Sequence, residues 1–156
     1  MIRVENLTKS FAGNVLFENL GFKVNAKERI GLVGRNGHGK TTLLRMILGE
    51  EAVDEGAIIV PKNYRIGMVR QTISFTEDTI LKEGMKELPA LKKEHHWEIE
   101  KILVGLGFLE TDMERHPDEF SGGFQVRLNL AKVIAAEPDL LLLDEPTNYL
   151  DIASIR

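Results

Sequence analysis

Three clusters in this 156-residue chain have residue types and spacing that can do chemistry. The first is Gly34-Arg35-Asn36-Gly37-His38-Gly39-Lys40-Thr41, followed by Thr42, which fits the pattern G-x-x-x-x-G-K-[ST]. Glycines let successive backbone N–H groups curl around phosphate oxygens, and a helix starting at the lysine adds its dipole. Lys40 is then placed to reach the β- and γ-phosphates of a nucleotide, and Thr41 to ligate Mg²⁺. The second cluster is Leu140-Leu-Leu-Leu-Asp144-Glu145, an apolar strand that delivers two carboxylates to its carboxyl end. There Asp144 can hold Mg²⁺ through water and Glu145 can polarise an attacking water. The third is Ser121-Gly122-Gly123, which opens a helical pattern and makes an exposed turn able to meet an anion.

These residues need elements to hold them. Ile2–Lys9 and Gly21–Val24 alternate apolar and polar residues, as half-buried strands do. Arg29–Val33 (RIGLV) is more apolar and reads as a strand buried on both faces, leading into the glycine-rich turn. A helix follows over Lys40–Leu48 and stops at Gly49. Further strands are expected at Ala57–Val60 and Tyr64–Val69, and helices over Thr79–Leu88 and Trp97–Leu106, broken apart by Pro89. Trp97 is expected in the core of this helical insert together with Ile99, Ile102, Leu103 and Leu106. Ser121 caps a helix reaching about Ala136, with Val126, Leu130 and Ile134 on one face, before the Leu140–Leu143 strand. The layout is α/β with an inserted helical subdomain: a phosphate-loop core over 1–71, the helical part over 72–126, and a return to the core over 127–156.

Phe120-Ser121-Gly122-Gly123-Phe124-Gln125-Val126-Arg127 resembles the signature L-S-G-G-Q-x-x-R of ATP-binding-cassette (ABC) proteins, and it stands before the Asp-Glu strand as it does in that family. The resemblance covers essentially the whole chain and implies a P-loop ATPase core with N-terminal antiparallel strands, binding ATP and Mg²⁺. It also implies roles for further residues. Gln71 stands where the family carries the glutamine that contacts Mg²⁺ and the attacking water. Phe11 stands where an aromatic ring stacks on adenine, although a phenylalanine closing a strand serves equally well as core packing. Asn148 and Asp151 fall in the loop that crosses between paired domains, and Ser121-Gly122-Gly123 would act on the ATP of the opposite domain. Glu145-Pro-Thr-Asn-Tyr-Leu-Asp151 is similar to the E-P-T-N-H-L-D of ABC-F proteins, and Phe124 points the same way.

The expected partner is a second ABC domain, head to tail, in the same chain or a homodimer. The expected client is the ribosome for an ABC-F protein, or a membrane permease for a transporter ATPase. A third reading is a product that binds nucleotide without hydrolysing it. Composition agrees with a soluble, cytoplasmic chain without membrane insertion: 43% hydrophobic, 28% charged, and no apolar run long enough to span a bilayer. A net charge of −4, with no long basic block, gives no support for DNA binding. No cysteine is present, which excludes disulfides and thiolate metal sites. His95-His96, His38 and Lys92-Lys93-Glu94 read as solvated surface. Members of the family continue past the position of Asp151 with a helix, a core strand and a switch histidine. The chain is therefore expected to be a C-terminal truncation, poorly stable alone or paired through exposed strand edges.

Overall fold

In the computed structural model, which describes residues 1–11, 13–35, 37–70 and 74–144, the alternating N-terminus forms β1 (Ile2–Phe11). It turns back at Gly13 into β2 (Asn14–Val24), a longer strand than the Gly21–Val24 expected from alternation. β3 (Glu55–Ile59) lies antiparallel on the other edge, giving the order β2-β1-β3. Ile2, Val4 and Leu7 are buried, and the step of three from Val4 to Leu7 records a register shift. Gly56, at φ +86°, accommodates that bulge: a Cβ there would stand 2.3 Å from Asn6 O and 2.4 Å from Glu5 O.

Helix α1 (Lys40–Leu48) has the bounds its pattern predicts and buries Leu43, Leu44, Met46 and Ile47. Gly49 ends it in the left-handed conformation, its N–H donating to Met46 O at 3.1 Å. These elements belong to one compact unit, Met1–Tyr64.

The expected strand over Arg29–Val33 is not formed. The segment is irregular, and Ile30, Leu32 and Val33 are exposed, Val33 at 95%. Apolar composition makes a strand only when a neighbouring backbone supplies the ladder, and among the described residues none stands against this segment.

The second unit, Arg65–Arg156, pairs β4 (Ile66–Val69) with β5 (Leu140–Leu143) in parallel, from Ile66 opposite Leu140 to Val69 opposite Leu143. Between them in sequence come α2 (Ile80–Met85), α3 (His96–Gly105) and α4 (Gly122–Ala135). Ile80, Ile99, Leu103, Phe108, Leu128 and Ala131 form the helical core. Val69, Val126 and Leu130 form a second cluster, with Ile134 packed against it, which puts α4's predicted stripe on one face. α2 begins at the predicted place, where the Thr79 hydroxyl accepts from Lys82 N–H. It ends at Met85, three residues short of the expected Leu88; Pro89 disfavours helical geometry at Leu88 alone.

Trp97 departs from its expected place in the core and is 55% exposed. The buried stripe of α3 runs through Ile99 and Leu103, and a residue two positions before Ile99 points away from that stripe.

Candidate functional site

The glycine-rich loop brings its chemistry together at the start of α1. Gly37 and Gly39 have φ of +80° and +85°, a backbone region costly for other residues. Gly39 is the N-cap residue, no side chain caps the helix, and the first turn carries no acidic residue. The Lys40 ammonium folds back over the loop, donating to Gly34 O at 2.8 Å and Arg35 O at 3.0 Å. A Cβ added at Gly34 or Gly37 would meet nothing within 4 Å, so open space lies beside the loop. A helix N-terminus without a side-chain cap, a cation held over it and an open approach suit a polyphosphate group. Thr41 and Thr42 are half-buried in the first turn, and His38 is exposed, as its variable position predicts. Asn36 lies outside the described residues.

Two neighbours of this site were not visible in the sequence pattern. A Cβ on Gly39 would stand 2.8 Å from Phe17 Cζ, 3.2 Å from Phe17 Cε2 and 3.4 Å from Leu16 Cβ, so the loop rests against β2. Lys9, a charged residue at the end of the expected Ile2–Lys9 strand, is buried. Its ammonium meets Glu51 at 2.8 Å, Ala52 O at 2.8 Å and Asp54 at 3.3 Å. Hydrogen bonding to Glu51 raises its pKa against the opposing effect of burial, with help from Asp54. The same ammonium lies 5.5 Å from the centre of the Phe11 ring. Phe11 is 53% exposed and so is not packed in the core. Asp54 also accepts from Ser10 N–H at 2.7 Å and so fixes the backbone beside Phe11.

In the second unit, β5 ends at Leu143 and places Asp144, half-buried, immediately beyond it. Its parallel partner β4 ends at Val69, opposite Leu143, so the two strands share the carboxyl end at which open α/β sheets bind ligands. Gln71, Glu145, Asn148 and Asp151 lie outside the described residues.

Ser121 is the N-cap residue of α4 and is exposed; contrary to an ordinary cap, its hydroxyl makes no capping bond. Gly122 is also exposed, and a Cβ on it would meet nothing within 4 Å. Aromatic rings fix this turn from both sides. Phe120 and Phe124 each meet Phe108 edge-on, at 5.3 and 5.1 Å between centres. Arg115 lies over Phe120 at 4.5 Å, and Arg127 over Phe124 at 4.8 Å. Phe124, the departure from the usual Gln of the signature, is thus one of the rings packed on the helical core.

The family described as ABC transporter matches residues 17–148. ABC transporter F family member 2 of Arabidopsis thaliana is 31% identical over 199 residues, covering 99% of this chain and 29% of its own length. ATP-binding protein Uup of Buchnera aphidicola is 35% identical, covering 100% of this chain and 27% of its own length. Ribosome protection protein VmlR of Bacillus subtilis is 35% identical, covering 98% and 27%. The chain therefore spans less than a third of the length of these relatives. Among solved structures, the dimeric bacterial ABC transporter cassette MJ0796 matches in fold with a TM-score of 0.78 at 24% identity, over 99% of this chain and 78% of that one. The matched stretch contains the phosphate loop, the signature turn and the Asp-bearing strand, and the chain belongs to the ABC transporter family, as an ATP-binding cassette whose relatives include ABC-F proteins.

Proposed function

We propose that the chain binds MgATP through Gly34–Thr42 and, paired with a second cassette, hydrolyses it as one half of a nucleotide-timed clamp. The observation that carries this reading is the Lys40 ammonium held over the loop carbonyls at the N-terminus of α1, where no side chain caps the helix. In the proposal Phe11 stacks on adenine, and Arg35 to Thr42 surround the phosphates. Lys40 spans the β- and γ-phosphates, with Thr41, Gln71 and Asp144 as the ligands of Mg²⁺. Bound Mg²⁺ neutralises charge on the phosphate oxygens. Glu145 polarises the attacking water, and Gln71 orients it. Ser121-Gly122-Gly123 closes on the γ-phosphate bound by a second cassette, reached across the loop bearing Asn148 and Asp151. The dimeric form of the MJ0796 cassette supports pairing of this kind.

The proposed setting is cytoplasmic, and the proposed client is the ribosome. The relatives named for ribosome protection and for the ABC transporter F family support this, as do Phe124 and Asn148-Tyr149. No helix among the described residues is long and apolar enough to cross a membrane. The second reading is the ATPase subunit of a membrane transporter, favoured by the likeness in fold to a transporter cassette. Sedimentation of the full-length protein with ribosomes, in ATP and with Glu145→Gln, separates the two: retention on ribosomes supports the first, and recovery with a membrane permease supports the second.

Nucleotide binding is tested on the 156-residue chain by thermal unfolding with and without MgATP, beside Lys40→Ala. At a hundred times its dissociation constant, a ligand that binds only the folded state stabilises by about 2.7 kcal/mol. The expected result is a rise in Tm that Lys40→Ala abolishes. An equal rise in both proteins would remove Lys40 from the site.

A further inference from the structure

We infer that Phe17 is a positioning residue of the phosphate loop: its ring rests against Gly39 and sets where the Lys40 end of that loop stands. The inference deepens the nucleotide-binding reading and rests on it. Gly39 has two reasons to be glycine, and they are separable. Its φ of +85° is the left-handed conformation, and its missing Cβ leaves the space in which Phe17 Cζ and Cε2 lie, 2.8 and 3.2 Å from where that carbon would stand. Gly37, with φ of +80°, has the first reason without the second, because nothing lies within 4 Å of its Cβ position. The loop is therefore open along Gly34 and Gly37 and backed at Gly39.

The backing comes from a fixed surface. Phe17 sits on β2 opposite Lys9 of β1, and Lys9 is buried and tied to Glu51, Ala52 and Asp54. The same lysine reaches the ring of Phe11. One stretch of hairpin thus carries Phe11 and, a few residues away, the ring that backs the loop. Helix-terminal N–H groups bind phosphate well only where they point together, and a loop whose glycines allow many conformations needs an external stop to hold one. The contact passes through the tip of the ring, atoms that leucine lacks.

The test uses two probes on the full 156-residue chain, MgATP and inorganic triphosphate, the latter having phosphates but no base. Binding is followed by calorimetry for the parent, Phe17→Leu, Phe17→Met and Phe11→Ala, with Tm of each protein measured alongside. Phe17→Leu keeps an apolar residue in β2 while withdrawing the ring tip, and is expected to bind both probes about tenfold more weakly, the scale of one poorly aligned charge-assisted hydrogen bond. Phe17→Met, long enough to reach Gly39, is expected to restore most of that affinity. Phe11→Ala is expected to lose MgATP affinity and keep that for triphosphate. Triphosphate binding by Phe17→Leu equal to the parent's overturns the positioning role. Loss of MgATP affinity alone overturns it too, because Phe17 would then act on the base. A parent that binds neither probe overturns the nucleotide-binding reading itself, and the inference with it.

Discussion

At the residue scale, Gly37 and Gly39 pose the same backbone problem in different surroundings. Alanine at either must hold a positive φ, at a cost of about 1–2 kcal/mol. At Gly39 its methyl must also displace the Phe17 ring, whereas at Gly37 it meets open space. Urea unfolding of the two variants is expected to show Gly39→Ala as the more destabilised. Equal losses would mean that the ring yields freely. The loop was legible from its residues alone, because its chemistry sits in one contiguous stretch whose spacing matches its geometry. Phe17 and Lys9 were not. A phenylalanine in a strand and a lysine at the end of one give no sign that the first backs a distant glycine and the second is buried beside an exposed ring. Their roles arise from strand register and from residues 51–54, which no local pattern connects to them.

At the element scale, the helices of the second unit are joined by a buried charge. Glu83 on α2 is 0% exposed. One carboxylate oxygen accepts from the N–H groups of Thr76 and Glu77, each at 2.9 Å, and the other pairs with Lys132 on α4. Burial pushes the Glu83 pKa up, but the bonds from Lys132, Thr76 and Glu77 outweigh it and hold the pKa below the ordinary glutamate value. A depressed carboxylate contributes stability that is present above its unfolded pKa, about 4.3, and is lost as pH falls through its folded value. Glu83→Ala leaves Lys132 and two backbone donors without their partner, and is expected to cost about 3 kcal/mol at neutral pH. The stability gap between the parent and Glu83→Gln, measured by urea unfolding from pH 7 down to pH 3, is expected to narrow on the acid side. A constant gap would show that Glu83 is not the group titrating. From sequence, Glu83 reads as one more charge on a short amphipathic helix, because burial is decided by α4, some fifty positions on. The start of α2 and the end of α1 were legible for the opposite reason: Thr79 and Gly49 act on their immediate neighbours.

At the scale of the whole molecule, the phosphate loop and Phe11 belong to one compact unit, and Asp144 and the signature turn to the other. The strand expected over Arg29–Val33, between β2 and the loop, was the one element that composition misjudged. The apolar residues are there, but a strand is a property of two backbones, and sequence shows only one. What remains is RIGLV with Ile30, Leu32 and Val33 facing solvent, next to the loop that the proposed function uses. β5 is likewise paired on one side only among the described residues, with β4. Unpaired backbone carrying apolar side chains recruits another chain or a hydrophobic probe. The 156-residue chain is therefore expected to bind a hydrophobic dye and to self-associate over about 1–100 μM, the range in which exposed edges of this kind act. Leu32→Lys places a charge in the middle of the segment without touching a buried residue. It is expected to lower dye binding and shift the population toward monomer in sedimentation velocity. A parent that stays monomeric across that range and leaves the dye dark would mean that Arg29–Val33 is covered in solution. Lower dye binding without a change in association would instead assign the association to β5 or to another exposed patch.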